Sequence, residues 1–238
     1  MHTTSSIRQP RVTDDVNSLG NPRRVPNPSR DGTRRAELAD SPRVTRTLLL
    51  LVGWFFVAVW LAVTGRLIDH GGPPLSIAAA ILLPLIVYAV DRRLGHPLFG
   101  GLMRLELPAL ITLQTFRIVG VVFIVGWATG ALPAGFALPA GLGDVAIGLA
   151  APFVAASVRR RPDRPTIARV WNVLGVADLI LAIASGVLHG SSPIGLLAGP
   201  VTTDVMARYP LSLIPTFLVP LALMLHFAAF RRLAAAAK

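Results

Sequence analysis

The chain reads as an all-α polytopic transmembrane helical bundle of six spans, with both termini on the cytoplasmic side. Three observations predict this. Charge nearly vanishes from windows long enough to cross a bilayer. Arginines alternate from loop to loop with a strong bias to one side. Two aspartates, Asp144 and Asp178, lie at matched depth within two consecutive apolar segments.

The 238 residues are 53% hydrophobic and only 15% charged, against about 25% charged in a soluble domain; the mean hydropathy is +0.62. The deficit is concentrated. Thr47 to Gly65, Gly71 to Val90 and Ile118 to Gly143 hold no charge, and Tyr209 to Phe230 holds only His226. Such windows match a hydrocarbon core, whereas a soluble helix would keep a polar face. Six spans follow, at roughly 47–66, 73–91, 110–132, 134–157, 168–188 and 209–230. Leu94 to Pro108, with Arg104 and Glu106 among leucines, reads as an interfacial segment leading into the third span. Pro193 to Ala207 is too short and polar to cross, and reads as an outer loop with a helical turn.

Residues 1–46 are rich in Arg, Pro, Ser, Asn and Asp without apolar periodicity, so they read as a disordered, Arg-rich cytoplasmic tail. Its five acidic residues argue against an organellar transit peptide. The first apolar run begins too late and runs too long for a cleaved leader, so it is expected to stay as an anchor. The six-helix domain then occupies 47–232, and residues 233–238 form a short cytoplasmic tail.

The net charge is +11, and Lys238 is the only lysine. In a soluble chain this would suggest nucleic acid; flanking apolar spans, it suggests the positive-inside rule. With the N-terminus inside, the inner side receives twenty basic residues and the outer side only Arg66 and Arg208, with Arg117 inside a span. The tail arginines are then matched to anionic inner-leaflet lipids rather than nucleic acid. The lack of cysteine removes disulfides, thiolate metal sites and cysteine nucleophiles, and the lack of an intramembrane lysine removes a Schiff base.

Asp144 lies 11 residues from Pro133, and Asp178 lies 11 from His189. At about 1.5 Å per residue each is roughly 16 Å from one face, near the middle of a core about 30 Å thick. An ionisable residue there costs about 2.5–3.5 kcal/mol even on lenient scales, so it calls for a partner or a use. Gln114, Arg117, Asn172 and His226 are the other polar residues within the spans, toward the cytoplasmic half. Small residues near each aspartate (Gly141, Gly143 and Gly148; Gly175, Ala177 and Ala182) predict that the fourth and fifth spans approach closely, with Arg117 in reach of at least one carboxylate. Two carboxylates side by side cannot both easily ionise, and Arg117 opposes that effect. One reading is a polar staple holding the helices together. The other is a proton, cation or polar-solute site.

Other features carry blander readings. Trp171 and Asn172 read as an interfacial anchor beside a helix-start asparagine, and His226 as a hydrogen-bonding packing residue near the inner interface. His70 and His189 fall near one face, His96 and His226 near the other, without an HExxH or paired Glu-x-x-His, so no metal or haem site is expected. Pro215 and Pro220 predict a kinked sixth span. Gly126-Trp-Ala-Thr-Gly130 is a GxxxG that would permit close helix approach. Gly141-Leu-Gly-Asp144 and Gly175-Val-Ala-Asp178 echo each other, but share only Gly, Asp and one later Ala. No nucleophile elbow, P-loop or dinucleotide fingerprint is present.

The strings Gln114-Thr-Phe-Arg117, Leu138-Pro-Ala-Gly-Leu-Gly-Asp144, Trp171-Asn-Val-Leu-Gly-Val-Ala-Asp178 and Tyr209-Pro-Leu-Ser-Leu-Ile-Pro-Thr-Phe-Leu-Val-Pro220 resemble those of uncharacterised bacterial multi-pass membrane proteins. The resemblance covers roughly residues 105–232. It implies the bacterial cytoplasmic membrane and supplies no activity. The leading functional expectation is a carrier or channel-like protein for a small solute or ion, with Asp144, Asp178 and Arg117 as the polar site and Gln114, Asn172 and His226 beside it. A non-catalytic membrane scaffold is the alternative. An intramembrane enzyme ranks third, since no recognisable catalytic set accompanies the aspartates. No cofactor is expected.

Overall fold

A computed structural model describes residues 42–69, 71–94, 98–162 and 165–235. The expected disorder of the tail before Pro42, the positions of His70 and His96, and the last residues of the C-terminal tail lie outside the described residues. Among the described residues all regular structure is helical, without strands. Six helices are long and apolar enough to cross a membrane: Val44–Val63, Leu75–Arg93, Leu107–Ala128, Ala134–Arg160, Thr166–Leu188 and Ile214–Ala235. They are called the first to sixth spans.

The boundaries differ from expectation at both ends. The first helix starts at Pro42 rather than Thr47, because proline is tolerated in a first turn, so Arg46 stands within the helix rather than in a tail. The sixth helix runs on to Ala235, beyond the expected end of the domain. Glycine stops two of the helices. Gly65 (φ +70°) closes the first with Arg66 N–H bonding to Leu61 O at 3.1 Å, and Gly130 (φ +74°) closes the third. This revises the GxxxG reading. Gly126 makes room for Leu132 of the returning chain, and its carbonyl accepts from the Ala131 and Leu132 N–H groups. The pair turns the chain rather than joining two helices.

Two spans are not regular α-helices. The third passes from α-helix (Leu107–Leu113) into a 3-10 segment (Gln114–Gly120) and back into α-helix (Val121–Ala128). The sixth opens with a π-turn over Ile214–Leu218 that contains Pro215. Such departures commonly sit at functional positions. Pro215, one of the two prolines expected to kink this span, lies inside the π-turn.

The spans are unequally buried. The sixth is the most enclosed, packing against the second, third and fifth, while the first and second are mostly exposed. Leu48, Leu49, Phe56, Leu82, Leu83, Phe153 and Leu181 are among the large apolar side chains on the outer surface. A surface so apolar suits acyl chains and not water. At the arginine-rich end, Thr47 and Asp91 fasten the segment before the third span: Thr47 Oγ1 donates to Leu98 O (2.8 Å) and accepts from Gly101 N–H (3.0 Å), while the Asp91 carboxylate accepts from Leu98 and Phe99 N–H (2.6 and 3.2 Å). At the opposite end, the loop after the fifth span carries a 3-10 turn, Thr203–Ala207, as expected. Thr203 Oγ1 donates to Gly186 O (2.6 Å) and Asp204 accepts from Ser191 N–H (3.0 Å).

Candidate functional site

The 3-10 segment sets the geometry of the polar residues. With about three residues per turn, side chains at i and i+3 eclipse one another. Gln114, Arg117 and Gly120 therefore form one row, and these three are the buried residues of the segment. Regular α-helix would rotate each away from the last by about 60°. The fourth span offers the complementary face, with Gly141, Asp144 and Gly148 at helical spacing. A Cβ at Gly141 would stand 2.7 Å from Ile124 and 3.0 Å from Gly120 O, one at Gly148 would stand 2.8 Å from Ile118 N, and one at Gly120 would collide with the Asp144 side chain. The third and fourth spans thus meet almost backbone to backbone. Gly141 and Gly148 face the third span rather than the fifth. Gly143 alone of this trio serves the fifth, where a Cβ would strike the Asp178 carboxylate.

Arg117 is 2% exposed and lies between both carboxylates. Its Nε donates to Asp144 Oδ1 at 2.7 Å, and its Nη2 donates to Asp178 Oδ2. Nη1 donates to Gly175 O (3.1 Å) and lies 3.3 Å from His226 Nε2. A guanidinium carries five N–H groups and accepts nothing. His226 Nε2 must therefore be an acceptor, which places the ring proton on Nδ1. That proton is donated to Asn172 Oδ1 at 2.7 Å, and Asn172 Nδ2 donates back to the His226 carbonyl at 3.2 Å. The amide orientation and the tautomer agree with each other. Gly175 makes this possible, since a Cβ there would collide with the imidazole and stand 3.2 Å from Arg117 Nη1.

The expected approach of the aspartates and Arg117 is present, with Arg117 joined to both. Asn172 and His226 enter the same network. Asn172 is not at a helix start: the fifth helix begins at Thr166, and the residue is 1% exposed. Trp171 is not an interfacial anchor either. It is buried, donates from Nε1 to Ile147 O (3.2 Å), and sets its ring 5.3 Å from that of His226. Gln114 stands in the same 3-10 row, but its Nε2 donates to Ala222 O (2.9 Å), and its Oε1 is buried without a partner among the described residues. His226 is fully buried rather than interfacial. No group of His, Cys, Asp or Glu among the described residues is arranged to hold a metal.

A cavity of about 280 Å³ descends from the end opposite the arginines to Asp144. Its mouth lies between Asp69, Asp204 and Arg208, and its walls are largely apolar, with Ile81, Phe123, Phe136, Leu179 and Val219 among them. Sequence reasoning missed this feature, because its walls come from loops and spans far apart in the chain. At its mouth, partial burial pushes the Asp204 carboxyl up, but hydrogen bonds from Ser191 and Thr202 and the Arg208 charge outweigh this, so the group titrates below the usual carboxylate range.

Six apolar helices, four of which build the Asp–Arg–Asp cluster and its partners, define a polytopic helical membrane protein. Residues 75–234 match the domain of unknown function DUF8737, and the chain belongs to that family. No curated protein and no solved structure matches it.

Proposed function

We propose that the protein is a carrier for a small solute or ion, with Asp144, Asp178 and Arg117 as its midplane site. The observation that carries this reading is the cavity that reaches Asp144 from one face of the bundle. A buried ion pair needs no such access if its work is only structural. The charge balance supports the same reading. One guanidinium against two carboxylates leaves one negative charge in a low-dielectric setting, and a proton or a cation would neutralise it. The apolar walls with carboxylates at mouth and floor suit a small, largely apolar solute bearing a cationic or hydrogen-bond-donating group. His226 and Asn172 hold Arg117 from the other side and position the pair.

We place the protein in the bacterial cytoplasmic membrane, in keeping with the resemblance to bacterial multi-pass proteins, with both termini cytoplasmic. The arginine asymmetry supports this orientation, puts the cavity mouth on the outer face, and sets the tail against anionic lipids. Reporter fusions after Arg93, Arg164 and Lys238 should report cytoplasm, and those near His70 and Ser192 the outside. A reversed pattern at any two of these would overturn the orientation.

The deciding experiment is reconstitution in liposomes with a panel of amines and monovalent cations, with and without a proton gradient. Flux that Asp144→Asn removes while the protein remains folded supports the carrier. A scaffold is the second reading, and one observation favours it: the Arg117 guanidinium is engaged on all three nitrogens. It expects no flux for any solute, and folding itself to suffer from Asp144→Asn.

A further inference from the structure

The cavity that ends at Asp144 is walled on one side by Ile77 and Ile81 of the second span and on another by Leu179, Ile183 and Val187 of the fifth. Both spans pack against the sixth, yet they do not pack along each other. The first helix, Val44–Val63, supplies no wall residue among the described residues, so it does not cover the space between them. Toward the arginine-rich end this gap closes, because Leu85, Val176, Leu179 and Leu223 share one apolar cluster. At the other end the loops close over it. Asp69 accepts from the Ser76 N–H (3.1 Å) and hydroxyl (2.8 Å), and Asp204 accepts from Ser191 N–H (3.0 Å). Between these limits the gap runs from Pro74 to Ile81, roughly 10 Å along the second span.

The gap and the mouth differ in chemistry. The mouth carries Asp69, Asp204 and Arg208, whereas the rim of the gap is wholly apolar. Ile77 and Ile183 are half-buried there, and Ile180, beside Ile183 on the same helix, is 57% exposed on the bundle surface. The cavity wall thus passes into the acyl-chain-facing surface without a polar border, at a depth where hydrocarbon and not water is the neighbour. Carboxylates outnumber guanidinium groups two to one both at the mouth (Asp69 and Asp204 against Arg208) and at the floor (Asp144 and Asp178 against Arg117). A cavity of about 280 Å³ is too small to enclose a long alkyl chain. One that opens sideways does not have to: a cationic head can sit inside while its tail stays in the bilayer.

We propose that the cavity takes its solute sideways from the leaflet on the side of the mouth, through the gap between the second and fifth spans, and that this solute is a long-chain amine. Its ammonium group reaches Asp144 and its chain trails between Ile77 and Ile183 into the bilayer. The inference rests on the reading of Asp144 as the carrier's solute site.

The test uses the purified full chain in lipid nanodiscs and native mass spectrometry, with hexadecylamine as the probe. Hexadecylamine should be retained about tenfold over hexadecanol, because only its head brings a charge to a carboxylate, and Asp144→Asn should remove that preference. The chain has no cysteine, so a bilayer-soluble pyrenyl maleimide reacts only where one is introduced. Ile183→Cys should react and, once it carries the pyrene, should lose hexadecylamine to background. Leu49→Cys, on the exposed face of the first span, should react and keep it. Ile77→Cys, on the opposite rim, serves in the same way if Ile183→Cys does not fold. A rim cysteine that stays unmodified while Leu49→Cys reacts would mean that the gap is closed, and would overturn the proposal. So would retention that survives the pyrene on the rim, or that is lost equally from Leu49→Cys. Ethylamine and flux separate this inference from the carrier reading. Retention of ethylamine but not hexadecylamine overturns the side entry and leaves the carrier standing. Gap-dependent retention of hexadecylamine, without flux of any solute in liposomes, keeps the side entry and removes the carrier.

Discussion

Asp144 and Asp178 sit at matching depth on one guanidinium, yet their surroundings differ. Asp144 lies against the 3-10 segment through Gly120 and faces the cavity that opens at the far end. Asp178 lies in the seam between the fourth and fifth spans, opposite Gly143, and is not part of that cavity wall. It shares a helix face with Leu174 and Leu181, both exposed on the bundle surface. Depth and local motif are thus poor guides to role. What separates the two carboxylates is which neighbouring backbone comes close and where the remaining space lies. On the proposed carrier reading, Asp144 is the carboxylate that meets the solute and Asp178 is the anchor.

The most severe way to probe this is to remove what they share. Arg117→Ala strands a buried carboxylate, Asp144, and a half-buried one, Asp178, and should cost about 3–5 kcal/mol, read as lost folded protein in detergent. Adding Asp178→Asn should recover more of that loss than adding Asp144→Asn, because Asp144 borders the cavity whereas the exposed edge of Asp178 lies on the apolar helix face of Leu174 and Leu181. Equal recovery would erase the distinction between them. Additive losses, with no recovery at all, would mean that the pairing contributes nothing.

Next come the single neutralisations. Asp144→Asn should bring flux in liposomes to background with a near-normal melting temperature, and Asp178→Asn should lower the melting temperature. If the two variants behave alike in both assays, the division of roles fails. The glycines give a smaller and more local test. A Cβ at Gly120 meets the Cβ of Asp144, close to rigid backbone, whereas a Cβ at Gly143 meets the end of the movable Asp178 side chain. Gly120→Ala should therefore cost about 1–3 kcal/mol, and Gly143→Ala less, by thermal melting. The reverse order would show that the seam, not the 3-10 contact, is the tighter joint.

The smallest effect belongs to the cavity mouth. Asp204 has a depressed folded pKa, so its contribution is fully present above the unfolded value of about 3.9 and is lost as pH falls through the folded value. Between neutral pH and pH about 3, the wild-type melting temperature should fall slightly more than that of Asp204→Asn. An identical fall would mean that the Ser191–Asp204 contact does not help to hold the mouth.

Much of this molecule was legible from residue order. The spans follow from charge-free windows, since a bilayer excludes charge along a whole contiguous stretch. The joining of Arg117 to an aspartate followed from depth counting, because rise per residue is constant along a helix. Asn172, Trp171 and the depth of His226 were misread. Each was assigned by distance from a span end, but what governs a buried polar side chain is its hydrogen-bond partner, and Asn172 and His226 are partners 54 residues apart. The destinations of Gly141, Gly143 and Gly148 were equally hidden, since small residues announce close approach without naming the neighbour.

Residue order suffices for a six-span apolar bundle with most of its charge at the ends and a few polar and charged residues at known depths within the spans, because hydropathy and helical rise are local and additive. The tertiary structure alone decided that the third span tightens to a 3-10 segment, that Gln114, Arg117 and Gly120 fall into one row, and that a cavity ends at Asp144 and not at Asp178. Those outcomes depend on the angle at which each helix meets its neighbours, and that angle is set by packing among residues scattered across the chain.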